Sequence, residues 1–171
     1  PVNTLISSNF VDKYRLRISG RTTANLNKHL FWKGYYAYGT QSQKHYYGTE
    51  ITYSLNKKKN VPFEFPQRNI TFETGYDVMS PADKFLIHNK DNIFMSLRTQ
   101  KVEQMYFYNR QKLSFDYETD WGFSLSTSIK AESNRPTGDL VFKKMPGAIT
   151  NPAADGNEYV GRIRTTELKL G

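Results

Sequence analysis

The chain has 171 residues, a formal net charge of +8 and no cysteine. It therefore has the length of one domain, with neither a disulfide framework nor thiol chemistry. With 12 Tyr, 11 Phe and 2 Trp it is 15% aromatic, yet its mean hydropathy is -0.69, and its strong period-two patterning excludes disorder for most of its length.

The opening Pro1-Val2-Asn3-Thr4 carries no basic segment followed by an apolar run, so no secretory leader is read there. No stretch approaches the roughly 18 apolar residues of a membrane helix, a test that says nothing about membrane strands. The first predicted strand runs from Lys13 to Ser19, with Tyr14, Leu16 and Ile18 opposing Lys13, Arg15 and Arg17. The second, Leu30 to Tyr38, is crowded with Phe31, Trp32, Tyr35, Tyr36 and Tyr38. The third and fourth are Tyr47 to Leu55 and Asn69 to Val78. In the third, Tyr47, Thr49, Ile51 and Tyr53 oppose Gly48, Glu50, Thr52 and Ser54. The fifth is Asn92 to Thr99, the sixth Met105 to Thr119 and the seventh Gly122 to Ala131. The eighth, Tyr159 to Leu170, is the least regular. Successive strand side chains point to opposite faces, so each strand has an apolar and a wet side.

Glu118-Thr119-Asp120-Trp121-Gly122 reads as a tight hairpin turn, and Gly39 to Lys44 is also short. Longer connections run from Asn56 to Arg68, from Ser80 to Asp91 and from Glu132 to Glu158. The last is broken by Pro136, Gly138, Pro146, Gly147, Pro152 and Gly156, and 132–158 reads as one long loop within a single unit, 1–171. The expected fold is an all-β, antiparallel up-and-down meander of about eight strands, a transmembrane β-barrel or part of a larger one.

A soluble sandwich alternates too, with its apolar face inward, and tyrosine suits any strand. Three features favour the membrane. Aromatics gather near strand ends, and Trp32, Tyr35, Tyr36, Tyr38, Tyr47, Trp121 and Phe123 read as interfacial belts. The opposite face carries glycine, serine and charge. There Glu50, Glu73, Asp77, Asp116 and Glu118 can pair with Arg15, Arg17, Arg110, Arg162 and Arg164 across a lumen. Strands of about ten residues also exceed the usual five or six of a sandwich.

Chemistry-bearing clusters are few. His29, His45 and His88 are far apart, with no HxH or HExxH spacing, so no transition-metal site is expected. Asp83, Asp91 and Asn92 share a loop without EF-hand spacing. Glu50 and Glu73 on neighbouring strands have the residue types of a hydrolytic carboxylate pair, but acids facing arginines inside a barrel read better as a structural network. Ser124, Ser126 and Ser128 form a small-residue stripe with no histidine or elbow motif. Lys57-Lys58-Lys59 beside Phe63 and Phe65, and Phe31 with Lys33 and Tyr35, give nucleic acid a minority reading. No enzyme and no cofactor are expected.

Gly20-Arg21-Thr22-Thr23-Ala24-Asn25-Leu26-Asn27 followed by Gly34 to Thr40, then Tyr53 to Lys59, Pro62-Phe63-Glu64-Phe65-Pro66 and Asp91-Asn92-Ile93-Phe94, together resemble a known family. It is an uncharacterised group of Gram-negative outer-membrane proteins that joins a carboxypeptidase-regulatory-like domain to a surface-antigen-type (assembly/translocation) β-barrel. The resemblance covers roughly residues 10 to 145 and brings no catalytic residues. It implies an outer-membrane location. Barrels of that superfamily have about 16 strands, within the even-numbered range of outer-membrane barrels; eight visible strands would then be a segment of a larger protein.

Two functions follow as expectations. The first is a non-catalytic outer-membrane barrel serving as scaffold, channel or export/insertion platform. Its partners would be outer-membrane lipid or lipopolysaccharide, the remainder of a larger barrel, or other membrane proteins. The alternative is a soluble all-β module holding a lipid or glycan against Trp32, Tyr36 and Tyr38, which requires the aromatic faces to point inward.

Overall fold

The computed structural model describes residues 5–7, 9, 11–81, 104–143 and 160–171. One sheet contains all the strands among them: β1 (Ile6–Ser7), β2 (Arg15–Arg21), β3 (Leu30–Gly39), β4 (His45–Ser54), β5 (Arg68–Met79), β6 (Gln104–Glu118), β7 (Ser124–Gly138) and β8 (Ile163–Leu170). Every strand pairs antiparallel with its neighbours in sequence, in the order β1 to β8. The fold is thus an all-β meander of eight strands. Its two outer strands do not pair with each other, and the sheet is open.

Strand membership differs from the periodicity reading. The two-residue β1 was not legible, and the expected strand Asn92–Thr99 lies outside the described residues, together with Asp83, Asp91 and His88. β2 begins at Arg15 because Lys13 turns the chain with φ 59°, its N–H bonded to the Asn9 carbonyl at 2.9 Å. β7 continues past Ala131 to Gly138, so 132–138 is strand and not the start of a loop. Its partner β8 reaches only Asn134, and Pro136, which has no N–H to donate, therefore sits where that side of β7 is unpaired. The Glu118–Gly122 hairpin forms as expected: Gly122 takes φ +93°, and Thr119 N–H bonds the Phe123 carbonyl at 2.8 Å.

Register converts the alternation into rows that cross the sheet. Trp32, Ile51, Phe72, Leu113, Ile129 and Leu168 stand side by side from β3 to β8, with Leu30, Tyr53, Ile70, Phe115, Thr127 and Leu170 in the next row on the same face. On the other face, Thr52, Thr71, Ser114 and Ser128 share a row. Burial runs opposite to that of a soluble sheet. Ile51 is 42% exposed while its neighbour Thr52 is 1% exposed. Leu16, Ile18, Trp32, Tyr53, Phe72, Leu125 and Leu168 are likewise exposed, whereas Arg15, Asn69, Asp77 and Glu132 are buried.

Curvature explains the inversion. Arg15 on β2 bridges Asp77 on β5 at 2.7 Å, although three strand spacings of ~4.8 Å separate those strands in a flat sheet. The polar face must therefore be concave, and its side chains cover one another. At the end of the sheet near the β3–β4 turn, Ala37, Tyr46, Val78, Met105 and Phe107 form a small apolar cluster. Tyr46 stacks on Tyr76 and Phe107 with ring centroids 6.0 and 6.4 Å apart. Its hydroxyl donates to buried Asp12 at 2.6 Å, which also accepts from Ser42 Oγ. That carboxylate fastens the segment before β2 to the β3–β4 turn.

In the β4–β5 connection the run Lys57-Lys58-Lys59, which gave nucleic acid its minority reading, exposes only its outer two residues. Lys58 is buried, and its ammonium donates to the carbonyls of Glu64 and Pro66 at 2.6 and 2.7 Å. Burial lowers its pKa, partly opposed by Glu64 and Glu118. The Glu64 carboxylate accepts from the N–H groups of Lys59, Asn60 and Val61. Those bonds, that of Lys59 foremost, hold it below the usual carboxylate range. A depressed carboxylate stabilises the loop above its unfolded value of about 4.3 and loses that contribution as pH falls through the folded value. Amide protection at residues 59–61, measured by hydrogen exchange, should therefore drop on acidification below about pH 4. Glu64→Ala should show the same low protection at neutral pH; unchanged protection in that variant would remove the carboxylate from this role.

Candidate functional site

The concave face encloses a trough of about 840 Å³. Across the concave face one row reads Arg21, Lys33, Glu50, Glu73, Lys112, Lys130, Glu167 from β2 to β8. The charges resolve into neighbour pairs. Lys33 meets Glu50 at 3.0 Å, Lys112 meets Glu73 at 3.1 Å, and Lys130 meets Glu167 at 3.0 Å. In the next row Arg110 bonds the buried Glu132 at 2.7 Å, with Asn134 donating to the same carboxylate. Glu50 and Glu73 stand directly opposite each other, as hydrolytic reasoning required, yet each is held by a lysine. Each carboxylate thus has its own lysine partner, the pairing expected of a structural network.

Toward the β3–β4 turn, Asp77 is the centre of a second group. It takes both guanidinium nitrogens of Arg15 at 2.7 Å and the Tyr35 hydroxyl at 2.5 Å. Tyr35 reaches it by lying across Gly48, where a Cβ would stand 2.4 Å from the ring. The floor continues through Gly75, which pairs with Gly48. The glycines of the wet face thus make room for a flat aromatic ring. Arg17 in turn lies over the Tyr35 ring, 3.8 Å from its centroid, a cation–π contact.

The expected lumen residues divide accordingly. Arg15, Arg17, Glu50, Glu73, Asp77, Asp116 and Glu118 belong to the polar face, with Asp116 accepting from Ser126 at 2.6 Å and Glu118 from the Gln67 N–H at 3.0 Å. Arg164 does not: it stands opposite Ser133, on the face that carries Leu168 and Leu170. Arg162 precedes β8 and forms no ion pair with the described residues. Lys33, Lys112, Lys130, Glu132 and Tyr108 complete the network. The alternation of Lys33 with Trp32, of Lys112 with Leu113 and of Lys130 with Ile129 was the signal that could have placed the lysines on this face.

Of the expected belt, Trp32, Tyr36 and Tyr47 are exposed on the convex face, and Tyr38 lies on the same face in register with His45. Trp32 covers Gly20 and Gly34 and donates its indole N–H to Thr49 at 2.7 Å. Tyr36 hydrogen-bonds the His45 ring. Trp121 and Phe123 stack at 5.9 Å in the β6–β7 turn. Tyr35 is the exception, since it belongs to the trough. His29 donates from Nδ1 to the Ser54 carbonyl at 2.8 Å, a local role.

Removing one partner of a buried pair strands the other charge. Asp77→Ala should cost about 3 kcal/mol or more, read from the denaturant unfolding transition. The double change Arg15→Met with Asp77→Leu should cost less than the single one, and an unshifted midpoint for Asp77→Ala would discount the pair. Gly48→Val should displace Tyr35 and cost about 1–3 kcal/mol by the same measurement.

No family model matches the chain, and neither a curated protein nor a solved structure matches it.

Proposed function

We propose that the chain is a bilayer-spanning β-sheet: an outer-membrane β-barrel protein, or a segment of one, that serves without catalysis as a scaffold, channel or export/insertion platform. The observation that carries this reading is the inverted burial, with apolar rows exposed on a convex face and paired charges on a concave one. Exposed apolar rows of this extent are costly in water and favourable against lipid, whereas charges need the partners that the trough supplies.

The shape of the apolar band supports it further. On β2 the band (Tyr14, Leu16, Ile18) sits beside Tyr36 and Tyr38, toward the β3–β4 turn. On β7 it (Leu125, Thr127, Ile129) lies toward the β6–β7 turn, next to Phe123. The drift is roughly eight residues over five strand steps, or ~26 Å along against ~24 Å across. Such a slant is that of strands tilted by roughly 45° to a membrane normal. Aromatics flank the band, with Tyr36, Tyr38 and Tyr47 at one border and Trp32, Tyr53, Trp121 and Phe123 at the other, as interfacial belts do.

Lipid or lipopolysaccharide is then the partner of the convex face. Open edges are not tolerated in hydrocarbon, so the β8 edge meets further strands, from the rest of a larger barrel as the family resemblance implies or from a partner membrane protein. A soluble binding module would place Trp32 and Tyr36 in its cavity; here both lie on the face away from the trough.

Fractionation with the outer membrane and heat-modifiable migration in detergent are expected, and recovery as a soluble monomer without detergent would overturn the reading. Phe72→Arg sharpens the test. Against lipid it should cost about 2–4 kcal/mol near the midplane, while at an exposed position in water it should stay within about 0.5 kcal/mol.

A further inference from the structure

Charge bookkeeping along the trough leaves a remainder. In the long row, Lys33, Lys112 and Lys130 each take one carboxylate, namely Glu50, Glu73 and Glu167. Arg21, the first residue of that row, has no acid left to meet among the described residues. Two rows further toward the β3–β4 turn, Asp77 is occupied by Arg15 and Tyr35, so Arg17 rests on the Tyr35 ring with no carboxylate among the described residues. Both unmatched arginines come from the polar face of β2, with Ser19 between them, and all three line the trough. The stacked ring holds the Arg17 guanidinium by its face, which leaves its N–H edge for an acceptor.

We infer that the trough binds an extended, multivalent oxyanion laid along β2, gripped by Arg17 and Arg21. Four residues of strand separate them, ~13 Å at ~3.3 Å per residue, so one small anion cannot engage both in their strand-perpendicular positions, whereas a chain of charged groups can. Guanidinium forks match phosphate and carboxylate oxygens two at a time. Ser19 adds a hydroxyl midway, and the Gly48–Gly75 floor keeps the trough open beside them. The surplus is local: the remaining cations of the two rows are spent on the wall itself. This inference rests on the concave polar face and is independent of what covers the convex one.

Calorimetric titration of the full chain in detergent micelles tests it, with linear inorganic polyphosphate, oligoglutamate and orthophosphate as probes at matched ionic strength. Polyphosphate should bind at least about tenfold more tightly than orthophosphate, as several charge-assisted contacts add where one cannot. Arg17→Gln with Arg21→Gln should lose about tenfold or more of that affinity. Arg17→Lys with Arg21→Lys, which keeps the charge and loses the fork, should fall between. Lys57→Gln with Lys59→Gln removes equal charge from the exposed β4–β5 connection and should change nothing. Oligoglutamate binding with the same arginine dependence would support the site and identify carboxylate as a source. Equal losses in the two glutamine variants, or no binding of either polymer, would overturn it. Liposome flotation of the same protein reports on the membrane reading alone, so the two can fail separately.

Discussion

Asp77 is the point on which the curvature depends. A carboxylate on β5 that holds a guanidinium from β2 and a phenol from β3 draws strands together that a flat sheet keeps apart. Once the sheet is bent that way, its polar residues are crowded into mutual contact and its apolar residues are spread on the outside. Each buried charge then finds a partner because its face is concave, which offsets a desolvation cost that would otherwise be several kcal/mol per ion. The glycines opposite Tyr35 belong to the same arrangement, since only a position without a Cβ lets the ring cross to Asp77.

The meander and the two faces of β3 to β7 were legible in the sequence because one property, side-chain polarity, alternates there with the period of the backbone. What the pattern could not supply was parity where neighbours look alike. Tyr35 and Tyr36 are both aromatic, and only the register shows that the first belongs to the trough and the second to the outer belt. In β8, Arg164-Thr165-Thr166-Glu167 contains no clear alternation, and a slip of one residue exchanges the faces; Arg164 is on the convex side for that reason. Beyond Ala131 the contrast is again lost, as Ser133 and Arg135 alternate with Glu132 and Asn134, so polarity no longer marks a strand that pairing with β6 continues to enforce. Among three consecutive lysines, nothing local distinguishes Lys58, whose burial depends on carbonyls several residues downstream.

The ion-pair rows also explain why a charged face need not be a reactive one. Glu50 and Glu73 are adjacent across a strand boundary, a juxtaposition that repels when unmatched. Lys33 on one side and Lys112 on the other offset that repulsion, each pairing with one of the two carboxylates. In the proposed reading, function resides in the shape of the two faces and in the charge that the paired rows leave over.

Pairing strictly between sequence neighbours has a kinetic consequence. Every hairpin from β2 to β7 can form before the next strand is present, and each closes only the loop that joins its own two strands, so the entropic cost of long-range search is met in small steps. The sheet can therefore grow in the order in which the chain emerges, with one live edge advancing at a time. That edge is a hydrogen-bonding template throughout the process, renewed by each strand as the one before it is paired.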